Sequence, residues 1–137
     1  AKYSPAQICI PLVRIVESRQ AQADELDVLG DYWVFNYDQD GDTLKFVSGG
    51  SHPGRMHLQL TPQGYRVTEF EVVEDGAGNL ASAKRIFGES FDAFQTLQAD
   101  EAKREQDRAR GITDYVKQRN LTAKYYQDFG SAPIALP

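Results

Sequence analysis

The two histidines, His52 and His57, have the most versatile chemistry in this chain. An imidazole changes its charge near neutral pH, so it serves as a general base, a hydrogen-bonding group or a metal ligand. The two residues lie close enough in sequence, across a Gly-rich segment, for their rings to approach one another. A zinc site needs at least three protein ligands, and neither a further histidine nor a nearby cysteine supplies the third. We therefore predict a binding site formed by His52, Arg55 and His57, with no metal and no cofactor.

Strict alternation of polar and apolar residues surrounds His57. It runs from residue 55 to residue 61 and predicts a strand whose polar side chains share one face. If Thr61 pairs with Gly64 across the next turn, the following strand adds two polar neighbours. A polar sheet face is either simply solvated or the lining of a pocket on the concave side, and both alternatives stay open. The polar set consists of Arg55, His57, Gln59, Arg66 and Thr68.

Recognised catalytic motifs are absent from the sequence. It contains no Gly-x-Ser-x-Gly elbow, no phosphate-binding glycine loop with a lysine and no His-Glu-x-x-His helix. We therefore predict no catalytic residues, and the leading hypothesis is a non-enzymatic binding or accessory domain using a sheet face or a pocket between sheet and helices. The alternative is a small conical-pocket enzyme, isomerase-like or dehydratase-like, that acts on an apolar small molecule with His57 as general base.

The length and net charge of the chain limit the classes of partner that it can have. The 137 residues suit one domain over 1–137, and the formal net charge of −5 disfavours nucleic acid. The longest apolar run, from residue 8 to residue 16, contains Pro11 and Arg14, so we predict no membrane span. The single Cys9 excludes an internal disulfide and is expected to pack as a small apolar residue. Because the sequence starts at Ala1 rather than Met, we expect an extracytoplasmic location.

The elements that must position these residues start from a β-hairpin. Asp40-Gly41 is the expected two-residue turn, of type I′, with Gln39 opposite Asp42. That register leaves one apolar side of the hairpin, as a specified pairing requires. Its members are Trp33, Phe35, Tyr37, Leu44 and Phe46.

The same turn has a competing interpretation as a calcium loop. Asn36, Asp38, Asp40 and Gly41 occupy the first, third, fifth and sixth positions of an EF-hand. Position twelve is Val47 instead of glutamate, and no helical pattern flanks the loop, so the hairpin is favoured.

The rest of the chain divides into strands followed by helices. We predict strands over 8–17, 27–38, 43–48, 55–61 and 65–74, with a β-bulge near Thr68 or Glu69. The segment 48–54 is expected to be an exposed loop and the likeliest functional segment. Helical turns follow over 80–87 and from Ser90, then a helix over about 100–119 with a solvated, charged first half. Its inward stripe is Ala109, Ile112, Tyr115 and Val116, and the tail over 121–129 is expected to add a last edge strand.

This order predicts an α+β fold, in which a curved antiparallel sheet of about five to six strands packs against C-terminal helices. This arrangement of a curved sheet and helices resembles the cystatin-like and nuclear-transport-factor-2-like (NTF2-like) folds. The segments at residues 30–37, 41–44, 47–54 with 56–58, and 126–130 resemble small secreted bacterial proteins of unknown function. This resemblance implies the fold and a secreted protein, and it carries over no activity and no catalytic residue. The expected partner is an unknown small molecule or protein, and the many aromatic residues also suggest a homodimer.

Overall fold

The computed structural model describes residues 8–137, which form a six-stranded sheet and three α-helices. The expected α+β class and strand number are confirmed. The strands are β1 (Ile8–Gln22), β2 (Glu25–Asp40), β3 (Thr43–Thr61), β4 (Gly64–Val72), β5 (Tyr125–Gln127) and β6 (Ile134–Ala135). The helices are α1 (Asn79–Phe87), α2 (Phe91–Ala99) and α3 (Glu101–Gln118). The sheet order is β1-β2-β3-β5-β6, and β4 also pairs with β3.

The described residues form two compact units. The long-helix unit comprises residues 8–12, Trp33–Gly50 and Ala102–Pro137, and the short-helix unit comprises Val13–Tyr32 and Ser51–Glu101. Strands β1, β2 and β3 each contribute to both. The prediction of one domain over 1–137 stays a prediction.

The β2–β3 hairpin forms, but its turn lies one residue later than expected. β2 ends at Asp40 and β3 begins at Thr43, so the turn residues are Gly41 and Asp42. Gly41 has a φ of 62°, whereas Asp42 is not among the described residues with a positive φ. A type I′ turn needs a positive φ at both central residues, whereas a type II′ turn needs it at the first, where glycine is favoured. The turn is therefore of type II′, and the prediction of type I′ was wrong. The shift moves each partner by two residues, so the expected apolar side is preserved.

The prediction of a loop over residues 48–54 is wrong, because β3 runs without interruption from Thr43 to Thr61. Phe46 stacks edge-to-face with Tyr37, whereas Ser51 donates a hydrogen bond to Asp31. Tyr37 and Asp31 are both odd-numbered residues of β2 and therefore lie on the same side of that strand. The residues of β3 that contact them are even-numbered at Phe46 but odd-numbered at Ser51. The Gly-rich segment therefore accommodates an extra residue inside a strand, as a bulge does.

The β3–β4 pair confirms two predictions. Thr61 pairs with Gly64, and the register shifts between His57 and Leu58. His57 pairs with Glu69 while Leu58 pairs with Val67, which leaves Thr68 as the bulged residue. The apolar residues before and after the bulge consequently share one face of β4.

The long-helix unit packs α3 against the strands that it contributes. Ile112 and Val116 are buried with Tyr37, Leu44 and Tyr126, and Ala109 and Tyr115 pack against them, so the inward stripe is confirmed. The tail adds two strands instead of one edge strand: β5 pairs in parallel with β3 at 43–45, and β6 pairs antiparallel with β5. Cys9 is exposed, which corrects the expectation that it packs inside.

The short-helix unit has its own core. Leu29 of β2 is buried with Ile86 and Phe87 of α1 and Phe94 of α2. Phe87 and Phe94 stack with ring centroids 4.0 Å apart. The side of the sheet that carries Leu29 is called the inner face below, and the opposite side of the same unit is called the outer face. Within residues 8–137, none of the helices is long and apolar enough to cross a membrane.

Candidate functional site

The structure separates the three predicted site residues. Arg55 and His57 lie on the inner face with Asp27, which shares its side of β2 with Leu29. His52 differs from them in parity along β3 and is exposed on the outer face. The expectation that the two imidazoles approach one another was therefore wrong, because it assumed a folded loop where the chain is an extended strand.

His57 belongs to a carboxylate-rich ion cluster. Its Nδ1 is hydrogen-bonded to Asp27, and its Nε2 lies 3.9 Å from Oε1 of Glu25. Arg55 lies 3.5 Å from the other oxygen of Asp27 and donates a hydrogen bond to Glu71 of β4. We call these five residues the inner ion cluster.

The inner ion cluster is only partly shielded from water. The side chains of Asp27 and His57 are 14% and 22% exposed, and those of Arg55 and Glu71 about one third. The hydrogen bond with Asp27 raises the pKa of His57, because a neighbouring carboxylate favours the imidazolium. A histidine with a raised pKa is more fully protonated at neutral pH, so it is a weaker candidate for a general base.

A smaller polar group occupies β1 and the start of α2. Arg19 donates hydrogen bonds of 2.9 Å to Glu17 and to Ser90, and the Ser90 hydroxyl also donates to Glu17. The hydrogen bonds from Arg19 and Ser90 lower the pKa of Glu17 to about 2. Ser90 precedes α2 as predicted, but its hydroxyl binds Glu17 instead of capping the helix.

The outer face carries the most unusual surface of the short-helix unit. Leu58 pairs with Val67 and Met56 with Phe70, so these side chains share one side of the β3–β4 ladder. On β1, Arg14 reaches the carbonyl of Leu97 on the inner side, and its two sequence neighbours therefore point outward. Seven large apolar residues of this face are 39% to 59% exposed. They are Val13, Ile15, Leu60, Tyr65, Val67, Phe70 and Val72.

Aromatic and glycine residues pack closely together on the outer face. Tyr32 and Phe70 meet edge-to-face with centroids 5.0 Å apart. A Cβ on Gly54 would lie 3.1 Å from the Phe70 ring and 2.1 Å from the carbonyl oxygen of Glu71. Glycine at 54 thus lets the Phe70 ring lie across β3. We call the seven exposed residues, together with Tyr32, Met56 and Leu58 between them, the outer apolar patch.

Sequence reasoning missed a buried cation in the long-helix unit. Arg108 was expected on a solvated helix face, yet it is 7% exposed. Its guanidinium carbon lies 5.0 Å from the ring centroid of Phe35 and 5.1 Å from that of Tyr126. It donates hydrogen bonds to Asp128, one of 2.8 Å, and to the hydroxyl of Tyr37. Burial raises the pKa of Tyr37 to about 12, and the hydrogen bond from Arg108 lowers the pKa of Asp128. Each of the three guanidinium nitrogens of Arg108 donates a hydrogen bond to Tyr37 or Asp128, so we assign Arg108 a structural role.

Each unit has a surface cavity that is open to solvent. One of about 560 Å³ in the short-helix unit is lined by apolar and amide side chains, including Val73, Phe94, Gln95 and Gln98. One of about 610 Å³ in the long-helix unit lies along α3 at Ala109, Thr113 and Lys117. Among residues 8–137, no three His, Cys, Asp or Glu side chains are grouped so as to hold a metal ion.

Comparison with known proteins gives no relative for this chain. No family model, no curated protein and no solved structure matches it. The function must therefore be argued from the surfaces described above.

Proposed function

We propose that this protein is a non-enzymatic binding domain that docks another polypeptide through the outer apolar patch. The proposal includes an NTF2-like or cystatin-like architecture and an extracytoplasmic location, which the phrase-level resemblance to small secreted bacterial proteins supports. The observation that carries it is the exposure of seven large apolar side chains on one face of one unit.

The size of the outer apolar patch distinguishes it from ordinary surface. Single exposed apolar residues are common, because every protein surface is partly apolar. Seven large residues at about half exposure present on the order of 600 Å², which is the upper end of the largest patch on a typical monomer. Leaving that area in water costs free energy at roughly 25 cal/mol per Å², and a partner would recover it. Apolar patches at this end of the range are often functional sites.

The charged side chains of β4 lie away from the outer face, which favours docking through that face. Arg66 and Glu71 project to the inner face, opposite Gln59 and Arg55. Apart from Thr68 at the bulge, the paired residues on the outer side of β4 are apolar, so a partner meets no charged side chain of β4 there. Charged groups are depleted at the centre of protein interfaces for the same reason.

Photo-crosslinking in the cells that produce the protein tests the proposal. A photoreactive phenylalanine analogue at Val67 samples the outer face, and the same analogue at Arg66 is the matched control one residue away on the other face. We expect a defined crosslinked polypeptide from position 67, absent from position 66 and lost when Phe70 is also changed to Ser. Equal crosslinking from both positions, or none from position 67, would contradict the proposal.

Catalysis by His57 is a second candidate, favoured by one observation, its hydrogen bond with Asp27. A general base needs a ring nitrogen directed at substrate, whereas Nδ1 faces Asp27 and Nε2 faces Glu25. The arrangement supports a bridging role for His57 more than a catalytic one. Carbethoxylation separates the two: we expect His57 to react much more slowly than the exposed His52. A His57 that reacts as fast as His52 would favour the enzyme hypothesis.

A further inference from the structure

We infer that the partner of the outer apolar patch is a second copy of this chain, packed face to face so that the two sheets form a sandwich. The inference rests on the proposed docking function and names its occupant. Three features of the patch point to self-association: its area, its lack of charge and the protection of the neighbouring strand edge.

Area is the first feature. An interface between two copies buries the same patch twice, so the patch of roughly 600 Å² would give about 1,200 Å² in total, the lower limit for specific and stable association. A two-fold symmetric interface uses one surface on both subunits, and that surface must be complementary to itself. An apolar sheet face can meet this condition, because two such faces pack about 10 Å apart with their strands nearly aligned.

Charge is the second feature. The protein carries a formal net charge of −5, so two copies repel each other over a distance. The outer apolar patch contains none of the charged side chains of β4, since Arg66, Glu69 and Glu71 all lie on the inner face by the β3–β4 register. Two patches therefore meet without bringing the charged side chains of β4 together.

Protection of the β4 edge is the third feature. An open edge strand invites a further strand to pair with it, and proteins block such pairing with bulges and inward-pointing charges. β4 carries both, in the bulge at Thr68 and in its inward-pointing charged residues. Edge-to-edge pairing through β4 is thus disfavoured, which favours the neighbouring face as the surface through which two copies associate.

Sedimentation velocity of the purified full chain tests the inference. We expect the 15.3 kDa chain to form a dimer whose dissociation constant rises at least tenfold in Val67→Asp. The control Arg66→Ser changes the net charge by the same amount, from −5 to −6, one residue away on the inner face, and should leave the dimer intact. Val67→Thr keeps the branched side chain that strands prefer, so the smaller weakening that we expect in this variant cannot be attributed to loss of the strand.

The outcomes are distinguishable from those of the docking proposal. A wild-type chain that stays monomeric at millimolar concentration, or a dimer weakened equally by Val67→Asp and Arg66→Ser, overturns the inference of a second copy. In that case a crosslink from position 67 to a different polypeptide would still support docking through the patch. A crosslink between two copies of this chain supports both.

Discussion

Replacing Asp128 by Asn is expected to remove about 2 kcal/mol from the free energy of unfolding. The carboxylate of Asp128 receives two hydrogen bonds from Arg108, whose side chain is 8% exposed, while its own side chain is 38% exposed. Breaking a fully buried ion pair by removing one partner costs about 3–5 kcal/mol, and an exposed pair is worth about 0–1 kcal/mol. A pair with one buried and one half-exposed member lies between these limits. The buried guanidinium keeps the hydroxyl of Tyr37, which limits the loss.

The matched control is Asp40→Asn in the same unit. Asp40 pairs with Lys45 at 2.9 Å, and both side chains are more than half exposed, so the same substitution should cost less than about 1 kcal/mol. Urea unfolding followed by circular dichroism measures both variants at neutral pH. If Asp128→Asn costs no more than Asp40→Asn, the buried ion pair does not stabilise the long-helix unit and our reasoning is wrong.

The pH dependence adds a sign to this prediction. Arg108 lowers the pKa of Asp128 below its ordinary value of 3.8. A carboxylate with a lowered folded-state pKa stabilises the fold above its unfolded-state pKa, and that contribution disappears as the pH falls through the folded-state value. The difference in stability between the wild type and Asp128→Asn should therefore shrink as the pH is lowered below about 4.

Three further predictions concern the short-helix unit and α3. The hydrogen bond with Asp27 raises the pKa of His57. The contribution of this bond to stability should therefore be complete below the unfolded-state pKa of about 6.5 and should vanish as the pH rises through the folded-state pKa. The urea midpoint of His57→Gln should not show this loss of stability with rising pH. Gly54→Ala should cost about 1–3 kcal/mol in urea unfolding, since its Cβ would lie 2.1 Å from the Glu71 carbonyl oxygen, and an unchanged midpoint would refute the close approach. Gly111→Ala should change stability by less than about 1 kcal/mol, because better helix propensity offsets a 2.8 Å contact with the movable end of Leu12.

The sequence predicted those parts of the fold that depend on alternation. Phe35, Tyr37 and Leu44 share the apolar side of the hairpin as expected, although the turn lies one residue later. Alternation fixes which side a residue faces, and a shift by two residues does not change it. The bulge at Thr68 was also predictable, because the apolar side switched parity there.

The sequence failed where distant neighbours decide the structure. The Gly-rich segment resembles a loop by composition, but Pro53 accepts a hydrogen bond from Val73 and Gly54 pairs with Val72, so neighbouring chain keeps it extended. Arg108 lies in a run of charged residues, and its partner Asp128 comes twenty residues later, beyond the end of the helix. The spacing of residues along a helix therefore could not predict this pair.

Only part of the candidate site followed from the sequence. The shared face of Arg55 and His57 was predictable from alternation along β3. Their link to Asp27 was not, because it depends on the offset between β2 and β3, which alternation along one strand does not reveal. The outer apolar patch was missed as well, since apolar residues on alternate positions predict a buried face, and only the structure shows that these are exposed.

Hydroxyl-radical footprinting tests the central claim, that the outer apolar patch is covered in the working protein. Oxidation rates of Tyr65 and Phe70 are compared between the protein as isolated with its partners and the protein diluted until its complexes dissociate. Phe129 of the long-helix unit is 96% exposed and serves as the internal reference. We predict that Tyr65 and Phe70 are protected several-fold relative to Phe129 in the first state and lose that protection on dilution. Rates at Tyr65 and Phe70 that are the same in both states would contradict the claim.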